Sequence, residues 1–272
     1  SEREYWAKKL AGELDKTVVQ PDRKVAAGQA RVLASQALTI AGPAFAALER
    51  LHNRSERRLH MILTAAVALL LKKYTARAEV LLGAPVLRQE QETQFINTVL
   101  PLRLAVPEEA SFKDLILAAR QTIEEATQHQ NYPLRLLLEQ LGLPGDSADF
   151  PLFEVAVLLE NIHQQSYIDH LNPRLTFAFR RADQALHLRL DYDASRYQAE
   201  SMARLGRHFA CLLERALADI NQSVARLDPI PEDERRQLLS EFNATAGDYP
   251  ADRTVAQLFA AQAAATPEAV AV

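Results

Sequence analysis

Cysteine is almost absent from this 272-residue chain: Cys211 stands alone, so no intrachain disulfide can form. That usage fits a reducing, cytoplasmic setting and gives secretion no support. Glycine is scarce too. There are eight, none clustered into a phosphate cradle, and no G-x-S-x-G, Walker A or G-x-G-x-x-G run occurs. One cysteine cannot build a cysteine-rich zinc site, and the seven histidines show no H-E-x-x-H spacing, which argues against metal catalysis. Long hydrophobic runs are missing. The longest, Ile62 to Leu71, is interrupted by Thr64 and ends at Lys72-Lys73, short of the about 20 residues a membrane span needs, so it reads as a buried helix. No charge sign dominates: 31 Lys and Arg stand against 35 Asp and Glu, a formal net charge of -4. A nucleic-acid footprint, which needs a clustered basic face, is not expected. The opening Ser1-Glu2-Arg3-Glu4-Tyr5-Trp6 lacks the basic-then-apolar pattern of a signal peptide.

What is present is a packed-core composition, with 48% apolar and 24% charged residues. Helical spacing predicts helices over Glu4 to Leu14, Ala44 to Leu51, Leu59 to Tyr74, Phe112 to His129 (capped by Ser111) and Arg196 to Ile220. Pro133 is expected in the first turn of a further helix that stops at Gly142. Strands are predicted at Gln29 to Leu38, Glu79 to Val86, Leu100 to Val106 and Leu152 to Glu160. A hairpin is predicted from Leu175 to Arg180 and Gln184 to Asp193, turning at Arg181-Ala182-Asp183. The alternation predicts an α/β body with a mixed sheet covered by helices. From Asp228 to Arg253 turn residues and a short charged helix, Glu234 to Phe242, read as a linker. Thr254 to Ala264 reads as a helix and Ala269 to Val272 as a strand cut short.

Candidate chemistry is sparse. His187-Leu188-Arg189-Leu190-Asp191 has the H-x-x-x-D spacing of acetyltransferase-type acyltransferases, in which the His is a general base. It lies, however, inside an alternating strand. Leu186, Leu188, Leu190 and Tyr192 would face the core, and His187, Arg189, Asp191 and Asp193 would face outward with an Arg–Asp pair. Tyr192 also stands where the catalytic motif needs Gly, so a solvated strand face is the expectation. Cys211, mid-helix between Phe209 and Leu212, is expected to be a buried small residue. Leu134 to Leu138 is expected to be core.

Several segments occur in a telling order: Tyr5-Trp6-Ala7-Lys8-Lys9-Leu10; Leu69-Leu70-Leu71-Lys72-Lys73-Tyr74-Thr75 with Leu82-Gly83-Ala84-Pro85; Phe95-Ile96-Asn97-Thr98-Val99-Leu100-Pro101-Leu102-Arg103; His129-Gln130-Asn131-Tyr132-Pro133-Leu134; and Phe150-Pro151-Leu152-Phe153-Glu154-Val155. Together they resemble the condensation domain family of nonribosomal peptide synthetases, specifically its C-terminal lobe. Phe242-Asn243-Ala244-Thr245 and Tyr249-Pro250 resemble the linker to an adenylation domain, and Thr254 to Val272 resembles the start of that domain. The domain organisation implied is a lobe at 1–227, a linker at 228–253 and a truncated adenylation domain at 254–272. Thr93 replaces a usual Gly, Asn131 a usual Asp, and Leu134-Arg135 a usual Phe-Glu. The family's H-H-x-x-x-D-G does not occur in this sequence.

The resemblance implies a chloramphenicol acetyltransferase-like lobe that pairs with an N-terminal lobe around a tunnel. Donor and acceptor carrier proteins would present thioesters there on phosphopantetheine arms, and an amide bond would form with no directly bound cofactor or metal. An adjacent adenylation domain is the remaining implied partner; nucleic acid and membrane are not. Phe95, Asn97, Arg103 and Tyr132 are the candidate tunnel or acceptor-side residues, and no catalytic residue is assigned within the chain. Asn97 would line or brace the wall, since its amide both donates and accepts. The Asn97 to Arg103 run favours condensation over the epimerisation relatives. Two alternatives stand beside this: a carrier-docking module without catalysis, and a free-standing acyltransferase acting through His187.

Overall fold

A computed structural model describes residues 1–14, 16–26, 29–88, 97–144, 150–241 and 253–268. In chain order the elements are α1 (Glu2–Lys9), β1 (Leu33–Ile40), α2 (Gly42–His52), α3 (Glu56–Thr75), β2 (Glu79–Pro85), β3 (Val99–Ala105), α4 (Phe112–Gln128), α5 (Leu134–Gln140), β4 (Val155–Leu159), α6 (Ser166–Asp169), β5 (Leu175–Ala182), β6 (Ala185–Asp193), α7 (Ala199–Ala218), α8 (Glu232–Arg236) and α9 (Val255–Ala265). The described residues fall into two compact units, Ser1–Pro231 and Glu232–Val272.

Among the described residues, the six strands of the first unit form one sheet, ordered β1-β6-β5-β4-β2-β3. β1, β6 and β5 pair antiparallel, β5–β4 and β4–β2 are parallel, and β3 lies antiparallel to β2. α3 is its main support. Ser55 caps it by accepting from Arg58 N, every residue from Leu59 to Leu71 is buried, and it packs on α4, α7, β2 and β4. A helix apolar all round is stable only when covered on all sides. α4 packs on β3, and α7 on β1 and β6. α4 begins with the Ser111 cap read from the sequence, reinforced by Asp114, whose carboxylate accepts from Ser111 N at 2.9 Å.

Gly83 shows why one motif glycine is needed. β2 crosses the Phe153 ring so closely that an added Cβ would lie 2.2 Å from it. Phe153 is buried and packs on Phe150 at 4.7 Å, so it cannot swing aside.

Several boundaries differ from the sequence expectation. α1 ends at Lys9 rather than Leu14. β4 starts at Val155; Phe150, Leu152 and Phe153 ahead of it are buried without being strand, since an apolar run reports burial and not conformation. The hairpin turns at Asp183-Gln184, both at positive φ, and β5 runs on through Ala182. A two-residue turn with two positive φ values matches the strand twist. Pro133 is the residue before α5 rather than within its first turn. α5 ends at Gln140 with Leu141 as its cap, and the chain turns away at Gly142, whose φ of 67° suits glycine, with Leu143 N bonding back to Leu138 O. Asp193 is buried at the end of β6, where its Oδ1 accepts from Val32 N and from Ser195. Cys211 is half-buried rather than buried.

In the second unit, α9 starts from a Thr254–Gln257 capping box and buries no residue; Val255 is 83% and Phe259 68% exposed. The strand expected at Ala269 to Val272 and the linker residues 242–252 lie outside the described residues.

Candidate functional site

Three of the sequence segments meet at the C-terminal end of α4. Trp6 is buried and donates through Nε1 to His129 O at 2.8 Å. The Tyr5 ring stacks on the His129 ring, with centroids 4.2 Å apart. The Tyr5 hydroxyl is buried, and burial, helped by the Glu125 charge, pushes its pKa up to about 12. The next residues, Gln130 to Pro133, turn the chain into α5, and Asn97 holds that turn. Its Nδ2 donates to Gln130 O at 2.8 Å and also to Tyr132 O, while its Oδ1 accepts from Leu134 N at 2.7 Å. Pro133 makes no side-chain cap for α5, so Asn97 supplies one from a distant part of the chain. Tyr132 donates from its hydroxyl to Gln140 at 3.0 Å, tying the turn to the far end of α5. Beside Asn97, Thr98 donates to Tyr167 O at 2.8 Å.

The structure thus brings Asn97 and Tyr132 together. Both amide protons of Asn97 and one side of its carbonyl are spent on backbone. Arg103 sits six residues further along the same chain direction, about 20 Å away at strand rise. It donates to Glu79 through Nε and Nη2 and to Ala11 O through Nη1, binding β3 to β2 and to the chain after α1. Phe95 lies outside the described residues.

The second candidate pattern behaves as a strand face. Four residues along β6 separate His187 from Asp191 by about 13 Å, beyond hydrogen-bond reach. Asp191 is taken by Arg189 at 2.9 Å and by Ser35 at 2.7 Å, and His187 Nδ1 faces Thr39 Oγ1 at 3.3 Å across to β1. Arg189 also reaches Glu160 at 2.8 Å.

Two buried histidines carried no signal in the sequence. His60 on α3 and His163 after β4 pack edge to face, with centroids 4.5 Å apart. Burial pushes the pKa of His60 down to about 4, against a hydrogen bond to the Val157 backbone that raises it. Burial, then the neighbouring His60 and Arg88, hold His163 well below the usual histidine range. Both are neutral at pH 7. The two residues lie 103 positions apart, so no local spacing could have flagged them. No group of three metal-ligating side chains occurs among the described residues.

Residues 1–239 match the condensation domain family. The chain belongs to that family. Among curated condensation-domain relatives, a linear gramicidin synthase from Brevibacillus parabrevis is 31% identical over 98% of this chain, and surfactin synthase subunit 1 of Bacillus subtilis (strain 168) is 31% identical over 81%. The chain spans only 6% and 7% of those two proteins. Solved structures share the fold. The X-domain from teicoplanin biosynthesis superposes with a TM-score of 0.71 at 22% identity, covering 84% of this chain and 56% of that one. The starter condensation domain of rhizomide synthetase in complex with C8-CoA and Leu-SNAC gives 0.63 at 23%, covering 84% and 54%. The mixed sheet under helices is therefore the chloramphenicol acetyltransferase-like arrangement of condensation domains. Amide bond formation is the general reaction of the family.

Proposed function

We propose that residues 1–227 are the C-terminal lobe of a peptide-bond-forming condensation domain, followed by a linker at 228–253 and the start of an adenylation domain at 254–272. In this role the lobe forms one wall of a tunnel and the N-terminal lobe forms the other. Two carrier proteins present thioesters there on phosphopantetheine arms. The acceptor amine attacks the donor thioester carbonyl, a C–N bond forms and the C–S bond breaks. The proton lost by the amine is taken up as the donor thiol leaves.

One observation carries the reading: a chain that belongs to the family over residues 1–239 matches only 54–56% of solved condensation-fold chains and contains no H-H-x-x-x-D-G. That is what one of two lobes, the one without the base, would give. The gramicidin synthase relative aligns over 98% of the chain, beyond residue 239, which supports a continuation into the next domain. Asn97 and Tyr132 shape the wall by holding the turn into α5 and do no proton transfer. Phe95 belongs to the same segment and is assigned to the same wall. Arg103 ties two strands together at a distance from them.

Mixing this chain with loaded donor and acceptor carriers should give no dipeptide above the uncatalysed rate, because general-base catalysis typically contributes 10²–10⁴-fold. Joining it to an N-terminal lobe bearing H-H-x-x-x-D-G should restore product. Turnover by the chain alone would favour the free-standing acyltransferase, which the separation of His187 from Asp191 already argues against. Carrier binding with no turnover in the joined protein would leave a docking module.

A further inference from the structure

β2 and β4 lie side by side and parallel, with Gly83 opposite Ala156, so both strands release the chain on the same side of the sheet. Open α/β sheets bind their ligands beyond the carboxyl ends of such strands. Here the chain leaving β2 supplies Val86 and Leu87, and the loop after β4 supplies Ile162 and His163, to the lining of a cavity of about 260 Å³. Its other walls come from α3, α4 and β3.

Arg88 joins the two segments three times. Its backbone N donates to Ile162 O at 2.8 Å, and its Nη2 donates to Glu160 O at 2.7 Å and to His163 O at 2.8 Å. The Glu160 carboxylate is taken by Arg189, so Arg88 meets the backbone of that residue and not its charge. Hydrogen bonds from an ionised donor are the strong ones, and a guanidinium can hold two carbonyls from one fixed plane. The loop keeps bonds of its own: Ile162 N and His163 N both donate to Leu159 O, and His163 Nδ1 accepts from Leu159 N. Arg88 therefore fixes where the turn sits rather than whether it forms.

We propose that Arg88 is a positioning residue for amide bond formation. Its clamp holds the loop after β4 against the chain leaving β2, and so fixes the wall beside which the two thioesters react. It touches neither substrate and moves no proton. The inference rests on the reading of this lobe as one wall of the tunnel.

The test makes Arg88→Ala and Arg88→Lys in two settings. In the 272-residue chain, hydrogen exchange is followed at the backbone amide of position 88, which reports whether the segments stay joined. Corrected for intrinsic rate, it should speed up roughly tenfold or more in Arg88→Ala, the worth of hydrogen bonds from a charged group. In the protein joined to its N-terminal lobe, kcat for dipeptide should fall roughly 10- to 100-fold, since small misplacements are costly. KM for each loaded carrier should stay within about twofold, and the pH profile should not move. Arg88→Lys, a point charge without the fork, should lie between the two. If Arg88→Ala fails to fold, Arg88→Lys and Arg88→Gln decide by the same readouts. An unchanged kcat beside faster exchange would overturn the proposal. So would a lost kcat with exchange unchanged, a shifted pH profile, or a rise in KM alone. No dipeptide from the unmutated joined protein would instead sink the tunnel-wall reading and this role with it, while the exchange data would still show whether the clamp exists.

Discussion

The two ends of the sheet both carry polar residues that look chemical in the sequence, and they are built in opposite ways. At the β2–β3 end, Asn97 and Gly83 answer demands of the backbone: one satisfies a turn and a helix start, the other lets a strand cross a ring. At the β1–β6 end, Arg189, Asp191 and Ser35 satisfy one another through side chains on a half-open strand face, with His187 beside them against Thr39. The first kind of residue has few substitutes, because a backbone group left unmet has nowhere else to turn. The second kind can be replaced by water. A motif residue can therefore be indispensable without touching a substrate, and a catalytic-looking spacing can be decoration.

The contrast can be broken by mutation and by acid. Gly83→Ala should cost the most, about 3 kcal/mol or more in denaturant unfolding, because Phe153 is hemmed in. A loss under 1 kcal/mol would mean that β2 shifts freely. Acidification comes next. The folded-state pKa of His60 is depressed to about 4, so its stabilising effect is complete above the unfolded value near 6.5 and is lost as pH falls towards 4. That window should see a loss on the order of 3 kcal/mol, with His163 acting in the same direction. His60→Phe should flatten the pH dependence, and an unchanged slope would show that the ring is already solvated. Asn97→Ala should cost about 2 kcal/mol, since two carbonyls and the α5 N-terminus lose partners. Amide exchange at Leu134 should speed up in step; a stable protein with unchanged exchange would dismiss the clamp. His187→Ala should be smallest, within about 0.5 kcal/mol.

Periodicity made the alternation of elements legible, and with it the outward face of β6, because a strand repeats every two residues. It missed at Asp193, where the strand ends and the chain folds back over the carboxylate. The Asn97 segment was legible as a motif but its task was not: its partners are backbone groups 33 to 37 residues away, which no local pattern encodes. The apolar stretch of Leu152 and Phe153 looked like strand for want of any signal separating buried coil from buried β. The His60–His163 contact joins a helix to the loop after β4 and shows in three dimensions only.

Single-turnover condensation by the joined two-lobe protein tests the central claim most directly. Replacing the second His of H-H-x-x-x-D-G in the N-terminal lobe with Ala should slow dipeptide formation by roughly 10²–10⁴-fold, the contribution of a general base, while His187→Ala in this chain leaves the rate unchanged. A large loss from His187→Ala, with the other lobe's histidine dispensable, would contradict the account.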